Sequence, residues 1–138
     1  MKKIYPILLI FLSSCGESEK PPAPIAPELK PYFDEFLFEA GERSVSPDLS
    51  KLESIEVTYS PTHPLGRCSN GRVVINLRVA MGDVCKVKVA MFHELGHCLL
   101  GKKHTPPDGG VHIMQPVIES ACAVYLLVWE ELLDELFR

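Results

Sequence analysis

Apolar residues fall at helical spacing in three stretches of the chain and alternate in two others. In Pro31 to Gly41, residues Tyr32, Phe33, Phe36, Leu37 and Ala40 recur every three or four positions, and Gly41 stops the run. Ile55 to Tyr59 alternates and is rich in β-branched residues, which predicts a strand. Ser60 to Gly71, with its prolines, glycines and Asn70, reads as loop. Arg72 to Val79 is the clearest strand pattern and runs into a turn at Met81-Gly82. A second helix is predicted over Val84–Leu100, with Val84, Val87, Met91, Leu95 and Cys98 on an apolar face and Lys86 and Lys88 off it. Asp83 stands at its N-cap position, and Gly101 stands where a left-handed residue reverses the chain. Lys102 to Val111 is a loop rich in Pro and Gly. Ile118 to Phe137 reads as one long helix striped by Ala121, Val124, Tyr125, Val128, Leu132 and Leu136, with Glu130, Glu131, Asp134 and Glu135 outside. Its apolar run is interrupted too early to cross a membrane, so it is expected in the core. The fold class expected is α/β (α+β): a small twisted sheet, a helix packed on it and a C-terminal helix beneath.

The first residues do not belong to that domain. Lys2 and Lys3 precede an apolar run, Ile4 to Leu12, too short for a membrane anchor. It ends in Leu12-Ser13-Ser14-Cys15, which resembles the lipobox of bacterial lipoproteins, where the cysteine is acylated and becomes the mature N-terminus. The other reading is a plain secretory signal with a stray cysteine. On the lipobox reading residues 1–14 are a signal peptide, 15–27 a lipidated cysteine and Pro-rich tether, and 28–138 one folded domain. Gly16 follows the cysteine where an inner-membrane protein often has aspartate, so a lipid-anchored place in the cell envelope, the outer membrane favoured, is expected. Losing Lys2 and Lys3 takes the formal charge from −4 to −6. An acidic chain with no basic cluster argues against nucleic acid as a partner.

The candidate chemistry sits in Ala90–His104, AMFHELGHCLLGKKH. His93 and His97 are four residues apart, so a helix puts both imidazoles on one face, able to converge on one ion. Glu94, at the edge of that face, is placed to activate a water as general base. Zn2+ suits such a set, because it takes imidazole nitrogen and lowers the pKa of water towards neutrality. Past Leu99 and Leu100, the turn at Gly101 brings His104 within reach as a third ligand. The bland alternative is a core helix with two incidental histidines.

These residues resemble the signature of the metzincin clan of zinc endopeptidases, H-E-x-x-H-x-x-G-x-x-H followed by a methionine-bearing turn. The resemblance implies His93, His97 and His104 as ligands, Glu94 as general base and Met114, in His112-Ile113-Met114-Gln115-Pro116, as the turn methionine. It covers about 25 residues and implies a zincin-like fold, hydrolysis of peptide or protein substrates, and binding of extended substrate along the sheet's edge strand. Two departures are visible. Three residues (Cys98, Leu99, Leu100) separate the second His from the Gly where the family has two, and one extra helical residue rotates the exit by about 100°. Pro116 stands where the family has tyrosine.

Other ligand choices stay open. His112, expected close to the metal floor, is a structural group first and the stand-in ligand should His104 fail. Glu119, 22 residues after His97, sits at a separation similar to that of the third ligand in thermolysin-like enzymes, but its neighbours lack the Asn-Glu pair of that family. Tyr125 and His112 are the candidates for a second oxyanion donor; His63, between prolines, is expected to be solvated. Apart from Cys15, the four cysteines Cys68, Cys85, Cys98 and Cys122 suggest two disulfides in an exported domain, with three possible pairings. Cys68–Cys85 with Cys98–Cys122 is the one considered first. The expected protein is thus a monomeric zinc endopeptidase anchored to a membrane. The alternative is a non-catalytic metal-binding lipoprotein that serves as an interaction module.

Overall fold

A computed structural model describes residues 21–106, 108–116 and 122–138. The leader, Cys15 and Glu119 lie outside the described residues. The fold is α+β, with a three-stranded mixed sheet and helices that pack on it. Helix α1 (Lys30–Glu42) is followed by a short 3-10 turn (Leu49–Lys51), β1 (Ser54–Thr58), β2 (Gly66–Ser69), β3 (Arg72–Asn76) and a one-turn α2 (Leu77–Ala80). The long α3 (Val84–Leu100) comes next, then α4 (Cys122–Leu127) and α5 (Trp129–Leu136). Strand order is β1-β3-β2, with β1 parallel and β2 antiparallel to the central β3.

Strand β2 falls where the sequence reads as loop. Gly66-Arg67-Cys68-Ser69 has no β-branched residue, so propensity gives no signal. What makes it a strand is the two-residue turn Asn70-Gly71, both residues at positive φ (50° and 76°), which pairs Ser69 with Arg72 in a tight hairpin. Only glycine fits at position 71: a Cβ there would stand 2.2 Å from Lys51 O. Strand β3 is also shorter than Arg72–Val79. Asn76 ends it, because its Oδ1 accepts the Arg78 N–H and caps α2 (3.2 Å). The same side chain, fully buried, donates from Nδ2 to Ser60 O (2.8 Å) and His63 O (2.9 Å). One asparagine therefore sets both the strand end and the loop that leads into β2.

Helix α3 is the centre of the molecule and has the bounds that its pattern predicts. Asp83 caps it, accepting from Cys85 N (3.0 Å) and Lys86 N (3.2 Å). Val89 through Gly96 are all buried, so the helix is covered on every side. Val84, expected on the apolar face, is instead 68% exposed at the first residue of the helix. Opposite the sheet, an aromatic cluster joins three helices: Phe92 meets Phe36 of α1 edge-on (5.4 Å) and Trp129 of α5 (5.2 Å), and Phe36 meets Phe137 (5.1 Å).

The tail is two helices rather than one. Val128 breaks the run, so Leu132, Leu133 and Leu136 are buried while Val124, Leu126 and Leu127 are exposed. Each piece is held separately: α4 by a disulfide at its first residue, α5 by Trp129 against Phe92. The stretch expected to be tether also docks early. Ile55 N donates to Pro24 O (2.9 Å) and Ala26 N to Ile55 O (2.8 Å), which adds Ile25 to the outer side of β1.

The four cysteines pair as Cys68–Cys98 and Cys85–Cys122. This corrects the pairing considered first. Cys68 lies on β2, which packs against α3, so its partner is the residue at the C-terminal end of that helix. Cys85, at the helix start, meets the start of α4.

Candidate metal centre

His93 and His97 project from one face of α3, and the chain after Gly101 returns to set His104 beside them. Nε2 of His97 lies 3.1 Å from Nε2 of His93 and 3.1 Å from Nε2 of His104. The extra residue before Gly101 is absorbed at the helix end. The N–H groups of Gly101 and Lys102 both turn back to Gly96 O, the latter at 3.0 Å, closing five- and six-residue spans instead of the usual four. With that widened last turn, the chain still delivers His104 to His97. Gly101 takes φ 65°, the left-handed conformation expected there.

Backbone carbonyls fix which ring nitrogens face inward. His93 Nδ1–H donates to Ile113 O (2.6 Å), and His97 Nδ1–H donates to Lys102 O (2.7 Å). In a neutral imidazole the other nitrogen then carries a lone pair and no proton. Two lone pairs 3.1 Å apart repel, so this contact is not a hydrogen bond; a cation between them satisfies both. Zinc–nitrogen bonds of about 2.0–2.1 Å in a tetrahedron put ligand nitrogens about 3.3 Å apart, close to what is seen. Burial lowers the His93 pKa to about 4, which keeps that ring neutral as a ligand must be. The three histidines together could hold a metal ion, and they grade from buried His93 to exposed His104.

Glu94 lies beside them, 7% exposed. Burial pushes its carboxyl up to about 7, against the single opposing pull of the Cys68 backbone N–H. That N–H points away from β3, to the free side of β2, so the carboxylate rests on the edge of the sheet. Gly66 makes the approach possible, since a Cβ there would be 2.7 Å from Glu94 Oε1. Cys98, one turn after Glu94 on the same face of α3, is bonded to Cys68, so a covalent link holds the strand against the carboxylate. Sequence reasoning gave neither Gly66 nor Cys68 a part in holding the base, because the segment reads as loop and a glycine in a loop carries no such signal.

Met114 is buried in the floor. It packs against Gly96 between the two helical ligands, where a Cβ would meet its Sδ at 2.7 Å and Leu136 Cδ1 at 3.1 Å. Met114 O accepts Thr105 N (2.8 Å), which ties the floor to the segment that carries His104. His112 is not at the metal position: its Nδ1 lies 2.9 Å from Glu135 and its Nε2 2.9 Å from Asp108, and these carboxylates raise its pKa. It is a strut between the floor loop and α5. Tyr125 is buried and donates to Gln115 Oε1 (3.1 Å), one side chain removed from the centre. His63 is exposed.

A cleft of about 370 Å³ opens beside the histidines, bordered by Leu65, Gly66, Ala90, His93, Glu94 and Gln115. No helix among the described residues is long and apolar enough to cross a membrane. Comparison with protein-family models, curated proteins and solved structures returns no match, so the site's own geometry carries the functional reading.

Proposed function

We propose that this protein is a zinc-dependent endopeptidase of metzincin-like type, anchored through a lipid on Cys15 to a bacterial envelope membrane. The observation that carries the proposal is the convergence of three imidazole nitrogens, two with tautomers fixed by backbone carbonyls, on a point beside a buried carboxylate. His93, His97 and His104 would hold the ion, which supplies Lewis acidity and makes water acidic near neutral pH.

The chain's own groups account for the rest of the chemistry. Glu94 accepts the proton of the attacking water and passes it to the leaving amine. Its site favours that role: burial raises the affinity of the carboxylate for a proton, which strengthens it as an acceptor. The free side of β2 offers backbone groups to an extended peptide antiparallel to it, and β3 is excluded from that part because it is the central strand. Gln115, held by Tyr125 and by its own bond to Gly110 O (2.6 Å), borders the cleft opposite the strand. The alternative of a non-catalytic metal-binding module leaves Glu94 unexplained. A buried carboxylate with no cationic side chain beside it among the described residues is costly to keep and has no use in a pure ligand set.

Two substitutions test the reading because they fail differently. Glu94→Gln keeps near-stoichiometric zinc while peptide hydrolysis falls by several orders of magnitude. His104→Ala loses zinc, and activity falls with occupancy. Hydrolysis that survives Glu94→Gln overturns the catalytic assignment; full zinc in His104→Ala removes His104 from the ligand set.

A further inference from the structure

The cleft beside Glu94 runs on along the N-terminal half of α3. Pro64, Leu65, Val79 and Ala90 give it apolar walls, and Lys86 lies at that end. Lys86, Ala90, His93 and Glu94 are spaced i, i+4, i+7 and i+8, so they share one face of the helix. At about 1.5 Å per residue, the backbone of Lys86 stands roughly 10 Å from that of His93 along the axis. A glutamate flanking the scissile bond carries its carboxylate roughly 6 Å from that bond, and a lysine side chain of similar reach closes the remaining gap.

Lys86 is half-buried, and its ammonium has no carboxylate partner among the described residues. Two positions on, Lys88 is used differently: it is paired with Glu35 and lies over the Trp129 ring (4.7 Å). A cation set among apolar walls, in a cleft that leads to the reacting centre, lacks the counter-charge that such a setting favours. We infer that this cleft is a subsite for an acidic side chain next to the scissile bond, with Lys86 selecting glutamate or aspartate. The inference rests on the endopeptidase reading above. The apolar walls receive the aliphatic stem of such a residue and the ammonium receives its carboxylate, while a basic side chain meets like charge.

The test uses the full chain loaded with zinc and matched peptides that differ only by Glu or Gln at each position flanking the scissile bond. At one position kcat/KM for Glu exceeds that for Gln by about tenfold or more, the scale of a hydrogen-bonded charge pair that the isostere lacks. Lys86→Gln brings the ratio close to one, and Lys86→Glu inverts it so that a Lys peptide outruns the Gln peptide. Indifference of the unmodified protein to Glu and Gln at every position overturns the proposal, as does a preference that persists in Lys86→Gln. Fluorescence anisotropy of the same labelled peptides on the Glu94→Gln protein reads the ratio without turnover. Selective binding of the Glu peptide with no cleavage by the unmodified protein keeps the subsite and sinks the peptidase reading. Cleavage without charge preference does the reverse, and neither binding nor cleavage overturns both.

Discussion

Gly66 and Gly96 owe their places to what approaches them. A methyl group on Gly66 would enter the Glu94 side chain, and one on Gly96 would enter Met114 Sδ; neither need can be read from flanking residues. We expect Gly66→Ala to lower turnover by about 10- to 100-fold, the scale of a base displaced by an ångström, while zinc content holds. Parallel metal analysis and kinetics check it, and unchanged kinetics would mean that the carboxylate is not held by the strand. The histidines, by contrast, were legible in the sequence because helical spacing is local, as were Asp83 and Gly101 as caps. A structural part for His112 was legible too, but not its partners Asp108 and Glu135, which come from a loop and a distant helix. Its raised pKa has a stability consequence. The imidazolium contributes fully below the unfolded-state pKa, about 6.5, and the contribution is lost as pH rises through the folded value. The gap in thermal stability between the unmodified protein and His112→Gln should therefore be widest in mild acid and narrow in alkali; a gap that grows with pH contradicts the strut.

At the scale of elements, α1 and α3 were recovered from periodicity and the hairpin was not. Asn70-Gly71 is a strong turn signal, but Gly66–Ser69 lacks the residues that announce a strand, and its place is set by pairing with β3 and by Cys98. The tail stripe gave no sign of the break at Val128, because the two anchors that separate α4 from α5 are tertiary. The widened end of α3 is likewise invisible in a count of residues, although it decides where His104 lands. The disulfides divide this architecture into two duties. Each closes a span of 30 or 37 residues, worth about 3–4 kcal/mol in chain-entropy terms. Replacing Cys85 and Cys122 by serine should lower the melting temperature and leave kcat near its original value. The Cys68/Cys98 double serine variant should lower both, because it also frees β2 from Glu94. Equal kinetic loss in the two variants would contradict this division, as would two or more free thiols on denaturing titration of the exported protein.

For the molecule as a whole, the sheet's two outer strands are unequal. The outer side of β1 is taken by Ile25, whereas β2 pairs only with β3 among the described residues and meets the metal centre on its other side. The same docking at Pro24–Ala26 shortens the expected tether, whose proline content read as unable to pack. On the proposed lipidation, Cys15→Ala should move the protein from the membrane to the soluble fraction, and a variant that remains membrane-bound refutes the anchor. The docked segment also sets a leash. Eight residues lie between Cys15 and Pro24, and the nine steps of about 3.3–3.6 Å each extend no more than ~32 Å. On that proposal, an enzyme on so short a lead would not sample the depth of the compartment: it would work a thin layer over the bilayer, and what it cuts would have to come to that surface.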